Sequence, residues 1–305
     1  MTGGVTQIGI DFGGTKIEAA ALDDAGDIQV RLRRPNPGTY ATAVETVREL
    51  VLEVEKEAGV KEAPVGVGLP GSLSPKTGLM RNANSVWLNG QPFKEDLQKA
   101  LGREIRLEND ANCFALSEAI GGAAAGAEVV FGAILGTGCG GGVVVRGRTV
   151  EGANKIGGEW GHTPLPWPSE AERAAHTCWC GRSNCLETWV SGTAFGQDYA
   201  RATGQHVGGE VIIQRARSGE TEARAALDRY VDRLGRALAV ICDILDPDVI
   251  VFGGGMSNTA ELYERVPPIT ARYAFSDVFV TKIVQAEFGD SSGVRGAAWL
   301  WPKPD

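Results

Sequence analysis

The sequence predicts an α/β protein made of two similar halves, and three observations carry that expectation. A plan of apolar strand, Gly/Thr-rich turn and apolar strand occurs twice, at "IGIDFGGTKIEAAAL" (8–22) and "VVFGAILGTGCGGGVVV" (129–145). Each half later adds helical periodicity. The length, 305 residues, suits two domains at about 150 residues each.

The elements follow in order. "IGIDFGG", "KIEAAAL" and "IQVRLRR" read as strands, punctuated by turns at Asp11–Thr15 and at "DDAGD". They predict two tight hairpins. Residues 39–58 place Val44, Val47, Leu50, Val51 and Val54 at helical spacing, with Thr39 or Thr42 as N-cap. "VGVGLPG" is a strand stopped by Pro70-Gly71. "EIRLEND" is another, and "ANCFALSEAI" opens a helix. After the second hairpin come a long helix over roughly 221–245, a strand in "DVIVFGGG" and a late strand in "FVTKIVQA". Residues 291–301 look helical. The expected domains are 1–118 and 119–290, with 291–305 returning to the first.

Apolar residues make up 43% and charged residues 22% of the chain, ordinary values for a globular core. The net charge of −8, with both signs interspersed, disfavours nucleic acid or an anionic membrane as the main partner. Ala119–Val145 is long enough to cross a bilayer and carries one charge, Glu128, but its nine glycines fit turns between strands better than a spanning helix. The first residues, "MTGGVTQIGI", lack a basic, apolar leader. The expectation is a cytoplasmic protein without disulfides, in which clustered cysteines point to metal.

Two glycine loops suit phosphate. In "DFGGTK", Gly13, Gly14, Thr15 and Lys16 follow a strand; in "LGTGCGGG", Gly136, Thr137, Gly138 and Gly140 do the same. Glycine lets backbone N–H groups approach an anion, and threonine adds a hydroxyl. Neither loop has the Gly-Lys-Ser/Thr of a P-loop. Either alone reads as a hairpin turn; the matched pair favours a nucleotide. Gly253, Gly254 and Gly255 end a strand where a base can lie. Asp11, at a strand end, suits Mg²⁺ held through water or a simple turn cap. Asp110 in "ENDANC" stands at a helix start, either as a cap or as a carboxylate kept ionised by the helix terminus and able to take a proton from an alcohol.

Cys178, Cys180 and Cys185 lie within eight positions in "CWCGRSNCLE". Three thiolates need a fourth ligand for tetrahedral zinc, and His162 and His176 are the nearby candidates. Glu159 and Glu187 flank that segment, where they are either sugar-hydroxyl partners or solvated surface charges.

Taken together, "IGIDFGGTK", "ENDAN", "LGTGCGGG", "GGEWGH" and "CWCGRSNCLE" resemble the ROK family of sugar kinases and related repressors, in the family's order, from Ile8 to the "DSSGVRGAAWL" end. "NANSVWLNGQPF", "GHTPLPWP" and "LDPDVIVFGGGMSN" are similar to the bacterial fructokinase/mannokinase branch. The resemblance implies an actin-like, hexokinase-like (ribonuclease H-like) fold with a cleft between two α/β domains. It implies Asp110 as general base, and Gly71, Asn84, Asn109, Asp110, Glu159, His162 and Glu187 around the sugar. ATP and Mg²⁺ are implied at the glycine loops and Asp11. A structural zinc ion is implied on His162, Cys178, Cys180 and Cys185. Asn184 stands where the family often has glycine, a position asparagine tolerates in the left-handed conformation. The longer spacer before Cys178 keeps His176 as a rival ligand.

The expected activity is therefore ATP-dependent phosphorylation of the 6-hydroxyl of fructose, with mannose or glucose as further substrates. Glucokinase or N-acetylhexosamine kinase activity is the alternative, and polyphosphate is a second candidate donor. A non-catalytic sugar-binding protein or a sugar-responsive repressor also fits the resemblance. The repressor conflicts with the charge and with a first strand that begins by Gln7 or Ile8. The resemblance further implies a homodimer.

Overall fold

The pattern of continuous and alternating apolar runs decides which strands become central. The computed structural model describes residues 4–173 and 176–302. In chain order the elements are β1 (Val5–Phe12), β2 (Lys16–Asp23), β3 (Ile28–Pro35), α1 (Tyr40–Ala58), β4 (Val65–Leu69), β5 (Ser72–Leu73), β6 (Met80–Arg81), α2 (Phe93–Leu101), β7 (Ile105–Asn109) and α3 (Asp110–Ile120). They continue with β8 (Val129–Leu135), β9 (Cys139–Val145), β10 (Arg148–Thr149), α4 (Glu187–Val190), α5 (Gly192–Thr203), α6 (Gly209–Ser218), α7 (Thr221–Leu245), β11 (Val249–Gly253), α8 (Glu261–Tyr273), β12 (Lys282–Gln285) and α9 (Ser292–Ala298). No helix among the described residues is long and apolar enough to cross a membrane.

The chain forms two compact units. The first holds residues up to Ala125, Gly142–Gly158 and the chain from Phe288 onward; the second holds Gly126–Gly141 and Glu159–Glu287.

In the first unit the sheet order is β3-β2-β1-β4-β7. β1 pairs antiparallel with β2 and parallel with β4, and β4 is parallel to β7. β4 is buried at every residue, as a central strand covered on both faces must be. β3 alternates, which suits an edge strand. The predicted helix over 39–58 is α1. It buries Val47, Leu50, Val51 and Val54 against the sheet, and Gly59, at φ 69°, ends it in the left-handed conformation. Thr39 occupies the N-cap position without a side-chain cap bond. The helix expected near 291–301 is α9, which packs on β1, β4 and α3. That approach depends on missing side chains. A Cβ on Gly66 would lie 1.8 Å from the Ala297 carbonyl oxygen, and one on Gly9 would lie 1.9 Å from that of Val294. Residues 142–158 belong here because their polar groups are used here: Val143 N–H donates to Asn112 Oδ1 at 3.4 Å, and Thr149 Oγ1 donates to Glu108 Oε2 at 3.3 Å.

A second sheet has the order β10-β9-β8-β11-β12. β11 is fully buried and runs parallel to both β8 and β12. The predicted long helix is α7. Ala223, Ala226, Leu227, Tyr230, Leu234 and Leu238 give it a continuous buried stripe, and α5, α6 and α8 pack on it.

Candidate active site

Within the first unit, the two residues of "ND" do different work. Asn109 is the N-cap of α3: its Oδ1 accepts from Ala111 N–H at 2.9 Å, while its Nδ2 donates to the Gly71 carbonyl at 3.2 Å. Asp110 is the first residue of the helix and is exposed at its N-terminus. The cap expected of Asp110 therefore belongs to Asn109, and the Asp110 carboxylate stands in the field of the helix end. Behind them, buried Glu108 accepts from Asn109 N–H and Asn112 Nδ2. Burial, followed by the charge of Glu151, raises its pKa. Gly71 sits at φ 78°, and a Cβ there would lie 2.3 Å from the Arg81 carbonyl oxygen, so the turn admits only glycine. Asn84 is exposed on the loop that follows. Asn89 clamps that loop, donating to the Ala83 carbonyl and accepting from Ala83 N–H.

Asp11 lies near the end of β1, opposite Glu18 on β2. Burial first, and the Glu18 charge second, raise its pKa to about 6. Gly13, Gly14 and Thr15 make the β1–β2 turn before Lys16; Gly13 N–H donates to the Lys16 carbonyl, and Asn36 Nδ2 donates to the Gly13 carbonyl at 2.7 Å. The helical segment opposite leaves room for the Asp11 carboxylate only because residue 293 is glycine, since a Cβ there would lie 3.1 Å from it. Such an ionisable oxygen donor suits a largely hydrated Mg²⁺.

Within the second unit, the other glycine clusters meet. Gly136, Thr137 and Gly138 form the β8–β9 turn, closed by a bond from Gly136 N–H to the Gly138 carbonyl, and Gly140 follows in β9. Gly253 ends β11. Gly254, at φ 76°, lies so close to this turn that a Cβ would be 2.7 Å from the Leu135 carbonyl oxygen. Gly136, Thr137, Gly255 and Met256 line one cavity of about 920 Å³, with Thr193 and Gly208 completing its wall from the starts of α5 and α6. A nucleoside triphosphate fits such a volume. No motif marked the α5 and α6 contributions; the faint signals were the glycines at 192 and 208–209, just where helices begin.

The three clustered cysteines come together with one histidine. One donor atom from each of His162, Cys178, Cys180 and Cys185 lies within 4.8 Å of all the others. Cys178 Sγ is 3.7 Å from His162 Nδ1, and Cys180 Sγ is 3.6 Å from Cys185 Sγ. Tetrahedral zinc with Zn–S of about 2.3 Å and Zn–N of about 2.0 Å requires separations of roughly 3.5–3.8 Å, which these two pairs meet. The rival His176 is elsewhere, its ring edge-on to Trp189 at 4.5 Å. The local fold explains the spacing. Cys178 N–H bonds the Arg182 carbonyl, and Thr177 bridges Ser183, so residues 178–182 form a tight hairpin. Asn184 adopts φ 60°, the left-handed conformation expected of it. Trp179, exposed, lies edge-on to the His162 ring at 5.2 Å.

Glu187 begins α4. Its Oε2 accepts from Cys139 N–H at 3.0 Å, and its Oε1 lies 3.8 Å from Cys178 Sγ. Glu159 is exposed just before the helical turn Trp160–His162, and His162 is half-buried at its end. Trp160 lies within "GGEWGH", where the sequence alone gives it no role of its own. Its indole donates to the Gly140 carbonyl at 2.8 Å.

Known proteins resemble this chain along nearly its whole length. The model of the family described as "ROK family" matches residues 7–304. N-acetyl-D-glucosamine kinase of Photobacterium profundum is 39% identical over 297 residues, covering 96% of this chain and 98% of that protein. The solved ROK hexokinase from Thermus thermophilus is 32% identical with a TM-score of 0.85, covering 96% of both chains. A ROK family glucokinase from Streptomyces griseus, solved with glucose and AMPPNP, is 27% identical with a TM-score of 0.77, covering 97% of this chain and 99% of that one. The α/β architecture expected from the sequence is thus the hexokinase-like fold of these enzymes.

Proposed function

This chain belongs to the ROK family, and from that membership we propose that it is a sugar kinase transferring the γ-phosphoryl group of ATP to the 6-hydroxyl of N-acetyl-D-glucosamine. The observation that carries the substrate is the 39% identity, over almost the full length of both chains, to enzymes named for that sugar. The sequence motifs had put fructose first and an N-acetylhexosamine second; the relatives reverse that order.

Asp110 is the general base. Its place at the helix N-terminus supports an ionised carboxylate able to accept the hydroxyl proton as oxygen attacks phosphorus. Asn109, Gly71, Asn84, Glu159, His162 and Glu187 contribute to sugar binding. The β8–β9 turn and Gly253–Gly255 hold the nucleotide, supported by the cavity that Gly136, Thr137 and Gly255 line together; Gly13, Gly14, Thr15 and Lys16 contribute to phosphate binding. Mg²⁺, bound through Asp11, would neutralise phosphate charge. Zinc on His162, Cys178, Cys180 and Cys185 is structural: four protein ligands leave no open position for chemistry.

A coupled ADP-release assay with N-acetyl-D-glucosamine, fructose, mannose and glucose tests the proposal. The highest kcat/KM is expected with N-acetyl-D-glucosamine, and ³¹P-coupled NMR should place phosphate on O6. A tenfold preference for another sugar would overturn the substrate, and no ADP release with any would overturn the kinase.

A further inference from the structure

Four contacts tie the β8–β9 turn to the segment that carries the thiol cluster. Gly192 N–H donates to the Gly136 carbonyl at 2.7 Å. Cys139 N–H donates to Glu187 Oε2 at 3.0 Å. Trp160 Nε1 donates to the Gly140 carbonyl at 2.8 Å. Gly161 lies against Cys139 so closely that a Cβ would be 2.0 Å from its carbonyl oxygen. Three of these four contacts come from residues that flank a member of the cluster: Trp160 and Gly161 precede His162, and Glu187 follows Cys185 by two positions. The contacts are rigid ones. Trp160 is buried and packs edge-on against Phe131 of β8 at 5.4 Å. Glu187 packs closely over the turn: a Cβ on Gly138 would lie 2.6 Å from its Oε2.

We propose that Trp160 and Glu187 are positioning residues for the nucleotide, transmitting the fixed geometry of the zinc cluster to the phosphate-binding turn Gly136–Gly140. The inference rests on the reading of that turn as a nucleotide site. It adds that the metal cluster, whose neighbours contact sugar, also governs the affinity for the phosphoryl donor. A hydrogen-bonded carbonyl and a hydrogen-bonded N–H at Gly140 and Cys139 hold the turn open; releasing either frees the backbone to relax away from the anion's shape.

The test is Trp160→Phe in the zinc-loaded protein, which removes one N–H donor and keeps an aromatic ring against Phe131. Fluorescence titration with mant-ADP should show nucleotide Kd raised about fivefold. Zinc content by mass spectrometry should be unchanged, and sugar Kd by calorimetry should move by less than about twofold. An unchanged nucleotide Kd overturns the inference. Equal losses for nucleotide and sugar also overturn it, since Trp160 would then support the unit in general. If the variant does not fold, chelator-stripped unaltered protein serves, with the same rise in nucleotide Kd expected and an unchanged Kd refuting. Failure of the unaltered, zinc-loaded protein to bind mant-ADP at all would instead remove the nucleotide reading of the turn, and the inference with it.

Discussion

Replacing Glu172 by glutamine should destabilise the second unit more than any surface substitution. Glu172 is buried, at 8% exposure, and accepts from Arg233 Nε at 2.7 Å and from Arg236 Nη2 at 2.9 Å. Those arginines are themselves 5% and 2% exposed on α7. Burial alone would raise the pKa of Glu172, but the Arg233 hydrogen bond, the Ser169 N–H and the two guanidinium charges outweigh it and bring it down to about 2. Removing one member of a buried pair costs about 3–5 kcal/mol. Here Arg233 keeps Asp198 at 2.9 Å, and Arg236 keeps Asp232 and the carbonyls of Pro166 and Trp167. The expected loss is therefore at the low end, about 3 kcal/mol. Urea denaturation of Glu172→Gln at pH 7 should report it as a lowered midpoint. The pH dependence has a definite sign. A lowered folded-state pKa gives stability that is present above the unfolded value of 4.5 and lost as pH falls through about 2. The gap between the unaltered protein and the variant should thus shrink between pH 5 and pH 2. A loss below about 1 kcal/mol at pH 7, or a gap independent of pH, would refute the reasoning.

Asp110→Asn should lower kcat by about 10²-fold or more while sugar binding by calorimetry persists, and near-normal turnover would remove Asp110 as the base. Asp11→Asn should abolish Mg²⁺-dependent turnover yet stabilise the fold by about 1–2 kcal/mol at pH 7–8, allowing for partial exposure. The raised pKa favours the protonated form in the folded state, so the stability it contributes below pH 4 is lost as pH rises through about 6; thermal melts of both proteins at pH 4.5 and 7.5 check this. Gly66→Ala should cost about 3 kcal/mol or more, because its Cβ would drive into the Ala297 backbone, and amide exchange should then rise in α9 and β4.

The thiol cluster was the most legible feature, because three thiols within eight positions leave little but a closed knot. Which histidine completes it was not legible. His176 is nearer in sequence, but its backbone pairs with Asn184, and its ring packs edge-on against Trp189. The glycine loops were legible as turns, yet the bringing together of Gly254 with Leu135–Gly136 depends on the parallel pairing of β11 with β8, which lie far apart in the chain. Which residue caps α3 was not legible, since aspartate and asparagine suit an N-cap equally; the extended backbone of Asn109 and its bond from Ala111 N–H decide it.

Local spacing determined, by itself, the strand–turn–strand repeats, the long helices, the thiol knot and the family, because each depends on residues close in the chain or on short motifs in a fixed order. Tertiary structure alone decided that residues 142–158 join the first unit, that helix starts at 192 and 209 wall the cavity beside the β8–β9 turn, and that Trp160 reaches Gly140. These depend on strand register and on close backbone approaches between distant segments, which residue type and spacing do not encode.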